Sequence, residues 1–166
     1  MRFPSSTLVL LAATLLVAAT AVSAKPTVGQ AAPGFSGIDS NGMEHSLAQY
    51  RGKFVVLEWT NDGCPYVSKH YGTGNMQALQ KRYTGQDVVW LSIISSAPGR
   101  QGYADGARAN KLTQDREAAP SAVLLDPDGT IGRLYGAKTT PHMFVIDPEG
   151  TLLYMGAVSN THLRAH

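Results

Sequence analysis

The 166-residue chain contains a single cysteine, Cys64, so no disulfide can form within it. Charge of either sign is scarce: 14 Lys+Arg stand against 12 Asp+Glu, a formal net charge of +2. That balance gives no reason to expect nucleic acid or an anionic surface as partner. Internal repeats, low-complexity tracts, a glycine-rich phosphate loop, a Ser-His-Asp pattern and a paired-carboxylate motif are also missing. The run Asp126-Pro127-Asp128-Gly129 starts like a calcium loop, but the later ligands are absent and a β-turn explains it. A soft metal site needs a second sulfur or its equivalent. No metal and no cofactor are therefore expected.

One long hydrophobic run is present, from about Leu8 to Val22, preceded by Arg2 and closed by the small residues Ser23-Ala24. Residues 1–24 read as a cleaved secretory signal peptide; the alternative is an uncleaved single span, the chain's one route to a membrane. Cleavage would leave 13 basic against 12 acidic residues, a net charge of +1. Residues 25–166 then form one domain, long enough to bury a core without staples, in a periplasmic or secreted protein.

Alternating and continuous apolar runs divide that domain. Residues 35–38 and 43–45 flank Asn41-Gly42 as a hairpin, followed by a one-turn helix at 46–50. Phe54 to Trp59 is nearly unbroken apolar sequence, as for a strand covered on both faces, and encloses one acid, Glu58. After Cys64-Pro65, the spacing of Val67, Tyr71, Leu79 and Tyr83 predicts a helix of several turns, weakened by Gly72 and Gly74. A strand at 87–94, a polar helix at 103–118, a strand at 121–125 and a short helix at 130–135 stopped by Gly136 follow. Residues 142–146 and 151–155, around Asp147-Pro148-Glu149-Gly150, make a second hairpin. This order predicts an α/β fold with a mixed central sheet flanked by helices.

Cys64 stands at a helix cap with proline at the first helical position, where a missing N–H has no partner to lose. Free cysteine often merely packs. Here, unpaired N–H groups and the positive end of the helix dipole would face the sulfur and favour thiolate. A half-exposed, nucleophilic Cys64 is therefore expected. His70 lies near the opposite side of the helix, as a surface or packing residue. His142 could approach the sulfur or face away.

Three stretches, Val28-Gly29-Gln30-Ala31-Ala32-Pro33-Gly34-Phe35, Gly63-Cys64-Pro65-Tyr66-Val67 and residues 138–147 around Thr140-Pro141-His142, resemble in order and spacing the thioredoxin-like superfamily. Within it, the chain is similar to peroxiredoxin-like redoxin proteins of the AhpC/TSA type, over nearly all of the sequence from 25 to about 157. The resemblance implies a thioredoxin-like fold and a cis Thr140-Pro141 peptide facing Cys64, where the Thr140 backbone can bind an extended substrate. It implies that Glu58, six residues before Cys64, is a buried proton acceptor acting through water; pairing with a surface lysine such as Lys53 is the other reading. Cys64 and Glu58 are thus the candidate catalytic residues, and Thr140, Pro141, Pro65 and Trp59 the candidate substrate-binding residues. Tyr66 and Trp59 could instead be core or rim packing.

The chain also departs from the family. Val67 fills the place of a second Cys-x-x-Cys thiol, Asn61 stands where a peroxiredoxin has threonine, and no strand of the second half carries an evident arginine. The residues from Val158 to His166 are few and polar for the closing helix of the fold, which is expected to be missing. The function implied is an exported thiol-disulfide oxidoreductase or peroxiredoxin-like antioxidant. Its partners would be a protein disulfide or peroxide as substrate and an external thiol as reductant. The rival is a redox-silent module that holds an extended polypeptide in the cis-proline groove.

Overall fold

A computed structural model describes residues 25–158. The expected signal peptide and the expected lack of a closing helix both concern residues outside that range. The order is β1 (Ser36–Asp39), β2 (Glu44–Ser46), a 3-10 turn (Leu47–Tyr50), β3 (Val55–Trp59), α1 (Pro65–Gly72), α2 (Asn75–Thr84) and β4 (Val89–Ile94). There follow α3 (Gly106–Asp115), β5 (Ala122–Leu125), α4 (Thr130–Tyr135), β6 (His142–Ile146) and β7 (Leu152–Ala157). One sheet of seven strands runs β2-β1-β5-β4-β3-β6-β7. β3 is parallel to β4 and β4 to β5, while β6 and β7 pair antiparallel, as does the β1–β2 hairpin. This is the mixed α/β sheet expected from the sequence.

Side chains alternate across the sheet. Val55, Leu57 and Trp59 point into one core with Leu91, Phe144 and Tyr135 of α4. Val56 points to the other face, under α1 and α2, with Val67, Tyr71, Met76, Trp90 and Met143. Every residue of β3 is buried, including Glu58.

Several boundaries differ from expectation, and three of the differences have a local reason. The helix after Pro65 is two helices, interrupted at Thr73-Gly74, where Gly74 takes a φ of 73° that ends one run and starts the next. α3 starts at Gly106 because Asp105 caps it, accepting a bond from the Arg108 backbone N–H at 2.8 Å. β4 starts at Val89 because Asp87 has a φ of 63°. Lys53 Nζ binds Asp87 Oδ1 at 2.6 Å, so Lys53 is not the partner of Glu58.

Past α2 the second face is open among the described residues: Val56, Leu79, Tyr83, Trp90, Met143 and Tyr154 line an apolar groove of about 720 Å3. Among the described residues no helix is long and apolar enough to cross a membrane.

Candidate active site at the mouth of α1

Sheet register builds the site. β3 ends at Trp59, which pairs with His142, the first residue of antiparallel β6. The chain leaving β3 toward Cys64 therefore passes the chain entering β6 through Thr140 and Pro141. The Thr140-Pro141 peptide is cis. The Cys64 Sγ donates to the Thr140 carbonyl at 3.0 Å across 76 residues of sequence.

Cys64 caps α1 with extended backbone (φ −85°, ψ 124°), and Pro65 occupies the first helical position. The sulfur is half-buried, with Pro65 and Tyr66 exposed beside it. Burial pushes the thiol up, but hydrogen bonding from the Thr140 side chain and from the N–H groups of Val67 and Tyr66 more than offsets it. The net is a Cys64 held below the ordinary thiol value.

Four donors surround the fully buried Glu58. Tyr71 Oη donates to Oε1 at 2.8 Å; Trp90 Nε1, Gln80 Nε2 and Ser92 Oγ donate to Oε2 at 2.8, 3.0 and 3.1 Å. Burial nonetheless pushes this carboxyl above its ordinary value against those bonds. Oε2 is saturated by three donors, so Oε1 is the oxygen with room for a proton. A cavity of about 30 Å3 lies next to this network, lined in part by Thr60, Asp62, Tyr71, Ser92 and Arg116. Among the described residues Thr60 Oγ1 has no partner there, and the space suffices for about one water.

Not every expected residue joins the site. Trp59 is a correction: 3% exposed, it packs against Tyr135 and Phe144 on the opposite sheet face, with Nε1 bonded to Ser95 Oγ at 3.0 Å. It belongs to the core and cannot contact a substrate at Cys64. His142 faces that side too, its ring 4.6 Å from that of Phe144, and burial lowers its pKa. His70 is a buried packing residue whose Nδ1 lies 3.2 Å from the Asn75 amide nitrogen. Among the described residues no three His, Cys, Asp or Glu groups are placed to hold a metal ion.

Sequence reasoning missed the residues that fix the loop before Cys64. Asn61 accepts from the Gly63 N–H through Oδ1 and from the Cys64 N–H through its carbonyl, at 2.9 and 3.0 Å. Gln101 bridges back, donating to the Gly63 carbonyl at 2.8 Å and accepting from Asn61 Nδ2 at 3.2 Å. Asp62 is gripped by Arg108 and Arg116. The polar Ser95–Gly102 connection and the polarity of the following helix were the available signals, but neither specifies a partner.

A lone half-buried cysteine at a helix mouth, faced by a cis-proline turn on a mixed sheet, defines a thioredoxin-like thiol site. The chain belongs to the AhpC/TSA family, whose model matches residues 28–155. A curated relative, the thiol-disulfide oxidoreductase ResA of Geobacillus thermodenitrificans, is 26% identical over 141 residues, covering 84% of this chain and 75% of that protein. Solved structures share the fold. A hypothetical protein from Sinorhizobium meliloti aligns with a TM-score of 0.72 at 21% identity, over 84% of this chain and 75% of that one. A putative thiol:disulfide interchange protein DsbE from Chlorobium tepidum aligns with a TM-score of 0.65 at 24% identity, over 80% and 86%. An exposed lipoprotein thioredoxin from Streptococcus pneumoniae gives 0.60 at 24%, over 76% and 90%.

Proposed function

We propose that the protein is a thiol-disulfide oxidoreductase acting outside the cytoplasm, with Cys64 as its nucleophile. The observation that carries this reading is the placement of Cys64 Sγ at the cap of α1, 3.0 Å from the Thr140 carbonyl and facing the Tyr66 and Val67 N–H groups. The Cys64 thiolate attacks one sulfur of a substrate disulfide, forming a mixed disulfide and expelling the other sulfur as thiolate. One external thiol then attacks the Cys64 sulfur of the mixed disulfide and releases the substrate sulfur as thiolate; a second attacks the resulting Cys64–external disulfide, freeing the Cys64 thiolate and leaving the two external thiols joined as a disulfide. Val67 in place of a second thiol makes that external reductant necessary. Pro65 and the first turn of α1 stabilise the thiolate, and Thr140 with Pro141 aligns an extended substrate. Glu58 accepts or returns the proton through its Oε1 and a water beside Thr60. The apolar N-terminal run supports export, as does the surface exposure named for the Streptococcus pneumoniae relative.

The test is the pH dependence of Cys64 alkylation by iodoacetamide, with trapping of mixed disulfides on the intact protein. The expected midpoint lies below the ordinary value of about 8.5, with trapped adducts lost in Cys64→Ser. A midpoint at or above that value and no adduct would refute the redox reading and leave the polypeptide-holding one. Reduction of hydrogen peroxide faster than that of a model disulfide would move the assignment to peroxidase.

A further inference from the structure

Asp62 is two residues before Cys64 in the loop that presents it, and a carboxylate there opposes a thiolate. Two guanidinium groups from the α3 region meet this carboxylate. Arg108 Nη2 reaches Oδ2 at 2.8 Å, and the Arg116 guanidinium binds Oδ1. Arg108 is half exposed, whereas the Arg116 side chain is 19% exposed and the Asp62 side chain 29%, so the second pair is the better shielded from solvent. Arg116 has a second contact: its guanidinium lies 4.8 Å from the centre of the Tyr71 ring, whose hydroxyl donates to Glu58. Its own carbonyl is fixed by Gln77 Nε2 at 2.8 Å, which ties the end of α3 to α2. Arg116 thus spans the acid before the sulfur and the ring that holds the buried acid.

We infer that Arg116, assisted by Arg108, is a positioning residue for Cys64: it fixes the 61–63 loop through Asp62 and offsets the carboxylate charge carried two residues before the sulfur. The inference rests on the thiol chemistry proposed above but on separate contacts, none of which touches the sulfur. The other charged or titratable groups near the site are placed differently. Glu58 of β3 is enclosed beneath the helices by its four donors, and His142 of β6 is turned to the opposite sheet face. Lys81, Asp115 and Glu117 line the same cavity as Asp62 and Arg116, and Asp115 is paired with Lys111 at 3.0 Å. Asp62 is the acid nearest in sequence to Cys64, and its partners come from α3 and the residue that follows it.

The experiment is titration of Cys64 by thiolate absorbance in the intact protein, comparing wild type with Arg116→Met, Arg116→Lys, Asp62→Asn and the double variant Asp62→Asn/Arg116→Met. Arg116→Met is expected to raise the thiol pKa by about half a unit to one unit, roughly three- to tenfold less thiolate below the midpoint. Arg116→Lys should recover most of this, and the double variant should titrate with Asp62→Asn alone. A full Arg116→Met shift that persists in the double variant would overturn the inference, because Arg116 would then act on Cys64 by a route that does not pass through Asp62. Unchanged titration in both single variants would overturn it as well. If Arg116→Met does not fold, Arg108→Met gives the same comparison at an exposed residue: a smaller rise is expected, and no rise together with an unmoved Asp62→Asn refutes the coupling. A wild-type thiol at its ordinary value would count against the redox reading alone, since the differences among variants would still report the charge coupling.

Discussion

Replacing Glu58 with glutamine tests how this protein handles a carboxyl placed wholly out of water. Burial raises the folded-state value above the ordinary 4.5. A group whose folded acid value is raised binds more protons in the native than in the unfolded state, so stability falls as pH rises. The loss begins near pH 4.5 and ends at the raised folded value. Its slope is at most about 1.4 kcal/mol per pH unit for one proton. In the protonated wild type, the new O–H must sit on Oε1 and point at Tyr71, because Oε2 already takes bonds from Gln80, Trp90 and Ser92. The glutamine amide reproduces this arrangement, with its carbonyl toward the three donors and its N–H toward Tyr71. Wild type and Glu58→Gln should therefore unfold at the same denaturant concentration near pH 4. As pH rises the variant should become the more stable of the two, and above the folded Glu58 value the gap should stop growing. Urea midpoints at four or five pH values measure this, and the histidine contributions cancel in the difference. A wild type that is more stable than the variant at pH 8, with the gap closing toward acid, would refute the reasoning. The four donors would then outweigh burial and hold Glu58 below its ordinary value.

Two further outcomes follow from particular residues. Gly102 has a φ of +77°, and a Cβ there would overlap the Asn61 carboxamide; Gly102→Ala should cost about 1–3 kcal/mol and alter the Cys64 alkylation rate, as read by thermal melts and iodoacetamide kinetics. An unchanged rate would show that Asn61 does not set the loop. Burial lowers the folded value of His142, and its Nδ1 is buried without a partner among the described residues. The folded state therefore binds fewer protons there, and stability present above the ordinary value of 6.5 is lost as pH falls through the lower folded value. His142→Phe should remove that acid loss and gain about 1 kcal/mol by eliminating an orphaned polar atom; an unaltered acid limb in urea melts would place the histidine in water.

Much of the fold was legible because local chemistry agrees with the global arrangement. Asn41-Gly42 turns the first hairpin, Gly136 ends α4 with a φ of 60°, and the apolar β3 run is the buried strand it resembles. Cys64-Pro65 could be placed at a helix mouth because cap and first-turn preferences are nearest-neighbour effects. What surrounds that mouth could not be read in the same way. The donors to Glu58 come from α1, α2 and β4, and the arginines on Asp62 lie 46 and 54 residues further along the chain. These pairings depend on α3 lying near the start of α1, which no local pattern specifies.

The error at Trp59 is different, because the sequence held enough to avoid it. Successive residues of a strand face opposite ways, so Glu58 and Trp59 cannot both lie on the side where α1 begins. Having assigned Glu58 to the cysteine side, the reading had to send Val55, Leu57 and Trp59 to the other. The structure does so, with Trp59 against Tyr135 and Phe144. The same parity, carried through the Trp59–His142 pair, sends the His142 ring to the Trp59 side and leaves Thr140 to meet the sulfur. An acid at the penultimate residue of the strand before this cysteine thus selects which backbone and side-chain groups can reach the sulfur. In this chain it selects the Thr140 carbonyl and hydroxyl over either buried aromatic ring.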